Sequence, residues 1–149
     1  MNIESDLFPD KCRTNFNPLY LYGSHLQIAE IVNDIVLHGV RETIIRVNVE
    51  DFSAALICGI LEDSYDEVRS SFRTGDMIIF ENIEGLCGKE MSQQEFYGLF
   101  DYYYERGRQI IITSLVPPRE LHGLEDRVRT QIESGMIFCV DGMADRRKL

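Results

Sequence analysis

"NPLYLYGSHLQIAEI", residues 17–31, starts as an apolar strand, turns at Gly23 and enters an amphipathic helix. The strand is LYLY, residues 19–22. Beyond the turn, Ile28, Ile31, Val32, Ile35 and Val36 fall on one stripe at helical spacing, and His38-Gly39 supplies a stop. Only Gly23 and Ser24 stand between Tyr22 and His25.

Working outward, residues 43–49, TIIRVNV, are β-branched and predict a second strand. Residues 51–73 hold two shorter helical stretches, FSAALICGIL and YDEVRSSF, broken around Asp63-Ser64. Residues 77–80 read as a third strand, entered through Thr74-Gly75-Asp76. Ser92 and Glu95 have the spacing of a capping box, which predicts a helix from there to about Arg106, ended by Gly107. QIIIT, residues 109–113, is the fourth strand. After Pro117-Pro118, residues 124–134 read as a helix with Gly135 at its end, and residues 136–140 as a fifth strand.

Near-continuous apolar strands alternating with amphipathic helices predict a parallel sheet covered on both faces, a three-layer α/β/α sandwich of the α/β class. In such sheets ligands sit at the carboxyl ends of the strands. The loops after Tyr22, Phe80 and Thr113 are therefore where chemistry is sought.

The totals fit one domain. A chain of 149 residues and 17.2 kDa buries enough surface to fold without disulfides or metal. Residues 1–16 read as an N-terminal arm and 17–149 as the core domain. The charge balance of -10, from 25 acidic against 15 basic residues, disfavours nonspecific attraction to nucleic acid or anionic lipid. Apolar runs such as MIIF are too short to span a bilayer, and the opening MNIESDLFPD lacks the pattern of a leader, so a cytosolic protein is expected. Cys12, Cys58, Cys87 and Cys139 lie far apart, with no CxxC pair, and are read as reduced, mostly buried thiols.

Residues 76–130, DMIIFENIEGLCGKEMSQQEFYGLFDYYYERGRQIIITSLVPPRELHGLEDRVRT, resemble the AAA+ ATPase domain of the bacterial replication initiator DnaA and its smaller Hda-type relatives. The GKE after a strand, the QQEF opening a helix, the Gln-led strand ending in TS, the PP pair and the LEDR helix occur in that family in this order. Upstream, NPLYLYG resembles the family's first strand and IIRVNVEDF its second. The resemblance covers about residues 17–149 and implies a P-loop NTPase-like sheet of five strands in the order 5-1-4-3-2.

The same resemblance implies that the family's ATP machinery is degenerate here. Its phosphate loop, a GxxGxGK[ST] run that wraps phosphates in backbone N–H groups, is deleted between Tyr22 and His25. Ser24 and Gln27 are spaced as a capping box, which would satisfy donors that a phosphate needs. Glu81 and Asn82 stand where the family has an Asp pair for metal and water. Thr113 and Ser114 remain at the end of the fourth strand, followed by Leu115. Gln131 stands at the position of the arginine finger, and after ADRRKL the family continues into a helical lid. The relic nucleotide pocket is thus Tyr22, Gly23, Ser24, Glu81, Asn82, Thr113 and Ser114.

Other residues carry weaker signals. Arg127, of LEDR, faces either a neighbouring subunit or an ion pair with Glu125 or another nearby acid. Arg69 and Arg73 lie where DnaA carries an insertion that touches single-stranded DNA, but Glu62, Asp63, Asp66 and Glu67 crowd the same region. His25, His38 and His122 are dispersed. Tyr102, Tyr103 and Tyr104 are consecutive on a helix, so at least one faces solvent.

These residues lead to a non-catalytic, DnaA-like scaffold that needs no cofactor and acts through protein contacts, with DnaA or another replication protein as partner and no membrane. Homodimerisation stays open. The competing readings are a DNA-binding module using the insertion, and a nucleotide sensor with a pocket rebuilt around Glu81, Asn82 and Ser114.

Overall fold

The computed structural model describes residues 17–38 and 43–141. The arm at 1–16 and the tail at 144–149 lie outside the described residues. The elements run β1 (Leu19–Tyr22), α1 (His25–His38), β2 (Ile44–Asn48), α2 (Val49–Leu61), α3 (Tyr65–Ser71), β3 (Met77–Glu81), a 3-10 turn (Ile83–Leu86), α4 (Glu90–Glu105), β4 (Gln109–Ser114), a second 3-10 turn (Pro118–Glu120), α5 (Asp126–Glu133) and β5 (Met136–Cys139). The strands form one sheet in the order β2-β3-β4-β1-β5, the expected 5-1-4-3-2 read from the other edge. Every pairing is parallel.

Two apolar layers explain the near-continuous strand hydrophobicity. Alternate strand residues point to opposite faces. Tyr20, Ile78, Phe80, Ile110 and Ile112 face a core built with α2, α4 and α5. Leu19, Leu21, Met77, Ile79 and Ile111 face the stripe of α1 formed by Ile28, Ile31, Val32 and Ile35. β4, between β3 and β1, is buried along its whole length. Each large apolar side chain so enclosed contributes roughly 1.5–3 kcal/mol.

Several boundaries differ from the sequence reading. Val49 opens α2 instead of closing β2, because the Asn48 side chain accepts a 3.0 Å hydrogen bond from the Glu50 N–H and caps the helix there. The break at Asp63-Ser64 is present: Asp63 has φ +55°, and the Ser64 N–H returns to the Gly59 carbonyl at 2.8 Å.

The Ser92–Glu95 capping box does not form. Helix α4 already begins at Glu90, so Ser92 lies inside its first turn, buried, with its hydroxyl 2.7 Å from that of Ser53 on α2. Glu95 turns instead to Tyr65 and Arg69 of α3.

Cys12 lies outside the described residues, and the other three cysteines are less buried than expected. Cys58 and Cys139 are exposed and Cys87 is half-buried, because Cys58 lies on the outer face of α2 and Cys139 on the edge strand β5. Of the three tyrosines, Tyr103 is fully buried and Tyr104 is exposed.

Candidate functional site

Helix α1 rises from the carboxyl end of β1, where a parallel α/β sheet places its ligands. Gly23 makes the turn with φ +142°, and its N–H donates to the Ser114 carbonyl at 3.2 Å. A Cβ at this position would come within 2.8 Å of Val140 Cγ2 and 2.9 Å of Asp141 Oδ1. Val140 and Asp141, the residues following β5, therefore close over the turn.

The contact with Asp141 also decides what becomes of the first free N–H of the helix. The Ser24 N–H donates to Asp141 Oδ1 at 3.0 Å, while the Ile28 N–H donates to the Ser24 carbonyl at 3.0 Å. The box expected between Ser24 and Gln27 is not made. Its reciprocal donor, the Ser24 N–H, is taken by Asp141, and Gln27 Oε1 is buried with no partner among the described residues. A carboxylate at a helix N-terminus is stabilised by the helix dipole, typically by about 0.3–1 kcal/mol. The protein supplies this anion itself.

The two polar residues ending β3 take different courses. Glu81 is ion-paired with Arg46 of the neighbouring strand β2, and Arg46 reaches on to Asn33 Oδ1 of α1 at 3.3 Å. A guanidinium on this carboxylate competes directly with any cation. Asn82 lies in the left-handed region at φ +60°, a conformation Asn tolerates, and its N–H donates to Thr113 Oγ1 at 3.3 Å. The backbone bend at Asn82 leads into the 3-10 turn.

At the end of β4, Thr113 and Ser114 part company. Thr113 pairs in register with Leu21 and shares the α1 side of the sheet. Ser114 points to the opposite face, where its hydroxyl donates to Glu84 Oε2 at 2.8 Å and accepts from the Val116 N–H at 3.2 Å. Tyr20 lies beside it, donating to the Val116 carbonyl at 2.8 Å. Burial is the main cause that pushes the Tyr20 phenol well above its ordinary range, with the Glu84 charge adding to it against the Ser114 hydrogen bond. Tyr22 packs its ring 6.4 Å from that of Tyr20.

The seven residues expected to form a pocket lie together at the carboxyl ends of β1, β3 and β4, but their side chains turn to different partners. Gly23 and Ser24 meet Asp141, Asn82 meets Thr113, Glu81 faces Arg46, and Ser114 and Tyr22 lie on the far side of the sheet. Among the described residues no group of three or more His, Cys, Asp or Glu side chains is placed to hold a metal ion.

Gln131, expected from the resemblance to stand at the finger position, is buried between two helices. It is 7% exposed, and Nε2 donates to the Tyr97 carbonyl at 3.0 Å and to Asp101 Oδ1 at 3.1 Å, tying α5 to α4. Arg127 makes the ion pair with Glu125 at 3.0 Å and lies 4.4 Å from the Tyr97 ring centroid. Arg69 pairs with Glu95 at 3.0 Å, and Arg73 donates to the Arg69 carbonyl at 2.7 Å while lying over the Tyr102 ring. Burial, then the nearby Arg69 charge, lowers the Arg73 pKa. Three residues that shape the site, Asp141, Arg46 and Glu84, escaped sequence reading. Arg46, inside IIRVNVEDF, and Glu84, just past the EN step, stood in recognised stretches, whereas Asp141 stood outside them.

A parallel sheet in this order, with a helix rising from a turn after β1, is the arrangement found in the AAA+ class of ATPase folds. The chain belongs to the bacterial DnaA ATPase domain family, whose description matches residues 5–139. It is 34% identical over 139 residues to the chromosomal replication initiator protein DnaA of Citrifermentans bemidjiense, and equally to that of Geobacter sp. strain M21. Each match takes in 89% of this chain and 30% of the relative, so the chain spans under a third of the length of these relatives.

Solved structures agree on the fold. AMPPCP-bound DnaA from Aquifex aeolicus superposes with a TM-score of 0.79 at 24% identity, covering 93% of this chain and 44% of that one. A replication initiator DnaA bound to AMPPCP and single-stranded DNA gives 0.76 at 26% identity, covering 93% and 45%. No helix among the described residues is long and apolar enough to cross a membrane.

Proposed function

We propose that this chain is a DnaA-type module that neither binds nor hydrolyses nucleotide and works in the cytoplasm through protein contacts, as an accessory or regulator of replication initiation. Asp141 Oδ1 on the Ser24 N–H carries the reading. A fixed carboxylate occupies the helix start that would otherwise receive phosphate oxygens. A phosphate brought to within about 4 Å of it would meet a repulsion on the order of 4 kcal/mol per unit charge near a protein surface.

The remaining stations support the same reading. Glu81 is held by Arg46, and Gln131 is buried between two helices. Without a bound triphosphate the chain has no target for a neighbour's finger, and without a finger it cannot serve the next subunit. ATP-gated assembly is therefore lost at both faces, and contacts with DnaA or another replication protein fall to other surfaces. The engagement of Arg69 and Arg73 inside the molecule weighs against DNA as the main ligand.

The test is the affinity of this chain for the initiator of its own host, measured by biolayer interferometry with and without ATP. Binding of equal strength in both conditions is expected. No binding to the initiator or the replicative helicase, or binding that appears only with ATP, overturns the reading.

A further inference from the structure

Helix α2 needs one apolar face to dock on the sheet, and Val49, Phe52, Leu56 and Gly59 supply it. It carries a second. Ala54, Ile57, Cys58 and Leu61 recur at i, i+3, i+4 and i+7 on the outer side, and all four are exposed, Ile57 by 51% and Leu61 by 80%. Helix α3 does not cover this row, because it packs on the Gly59 side, where a Cβ would meet Val68 and Tyr65.

The ends of the row are charged with one sign. Glu50 and Asp51 continue the same face one turn before Ala54, and Glu62 and Asp63 follow Leu61; α2 itself contains no basic residue. From Glu50 to Leu61 the row is about 16 Å long, roughly three turns.

We infer that the outer face of α2 is a docking surface for an amphipathic helix of a protein partner, one with an apolar stripe of about two turns and Lys or Arg at both ends. Charge complementarity selects this occupant. A second copy of the chain, paired in either direction along this row, would set acids against acids at both ends. Nucleic acid and anionic lipid meet the same repulsion. The apolar centre supplies burial, while the acidic ends fix register and exclude partners of the wrong sign.

The inference rests on the reading of the chain as a module that works through protein contacts, and names the surface. The probe is an acetylated, amidated helical peptide of about 18 residues, with Leu at i, i+3, i+4 and i+7 and Arg at either end. A control peptide has Glu in place of Arg. Both are titrated into the full chain and followed by amide chemical shifts.

Shifts confined to α2 are expected, with a Kd on the order of 10–100 μM, at least about tenfold weaker in Ile57→Asp with Leu61→Asp. The preference for the Arg peptide is expected to reverse in Glu50→Lys with Glu62→Lys. These positions are exposed, and circular dichroism and melting check that each variant folds. No binding at millimolar peptide, shifts away from α2, equal binding of the two peptides, or self-association abolished by Leu61→Asp overturns the inference. If it fails while ATP-independent binding to the initiator persists, the surface is wrong and the proposed function stands.

Discussion

Asp141 Oδ1 accepts a hydrogen bond from the Ser24 N–H at 3.0 Å, joining the residues beyond β5 to the start of α1 across 117 positions of sequence. Removing that carboxylate frees a helix N–H and a favourable charge–dipole contact. Asp141→Ala is expected to lose about 0.5–1 kcal/mol in urea unfolding, with Asp141→Asn losing less. Unchanged stability in both would mean that the contact is not formed in solution.

The Gly23 turn tolerates no side chain. Gly23→Ala combines a φ of +142° with approaches of 2.8 and 2.9 Å to Val140 Cγ2 and Asp141 Oδ1. The expected cost is about 2–3 kcal/mol, read as a lowered urea midpoint at unchanged m-value. A neutral effect would show that this turn is looser than described.

Between α2 and α4, the hydroxyls of Ser53 and Ser92 satisfy one another in a buried site. Either single alanine substitution leaves its partner without a hydrogen bond and is expected to cost about 1–2 kcal/mol. The double variant should lose less than the sum of the two. Strict additivity in the double-mutant cycle would show that the pair is not coupled.

Alkaline pH acts through buried and half-buried phenols. Burial, with the hydrogen bond to Glu95 next, pushes Tyr65 up to about 12 from its ordinary value of 10.0, and burial also raises Tyr20 and Tyr103. Above pH 10 the unfolded chain releases these protons while the folded chain holds them to higher pH, for Tyr65 to about 12, so stability falls as pH rises through that window. Below pH 10 the contribution is fully present. Tyr65→Phe is expected to flatten the alkaline slope in pH-dependent urea titrations, and an unaltered slope would count against the assignment.

The sheet was legible because β-branched and apolar runs are local signals. TIIRVNV, MIIF and QIIIT each announce a strand without help from the rest of the chain. The strand order came from the DnaA resemblance, since periodicity carries no information on neighbours. Helix starts were less legible, because spacing cannot tell a cap from an interior position. Ser92 and Glu95 have the right separation, yet their partners, Ser53 and Arg69, sit on other helices.

Candidate-site residues were found one at a time, but their assembly was hidden. That Glu81 faces Arg46, that Ser114 turns toward Glu84, and that Asp141 returns to Ser24 are consequences of sheet register and of contacts distant in sequence. The short Gly23-Ser24 turn was visible in the sequence; the carboxylate that meets it was not.

Nucleotide-dependent stabilisation tests the central claim most directly. A ligand that binds only the folded chain raises stability by RT ln(1 + [L]/Kd), about 2.7 kcal/mol at a hundredfold excess over Kd. Melting the full chain with ATP and Mg²⁺ at about 5 mM is predicted to leave Tm within about 1 °C of the nucleotide-free value, with ADP giving the same result. A rise of about 5 °C or more with either nucleotide, abolished by substitution at Ser24, would contradict the account.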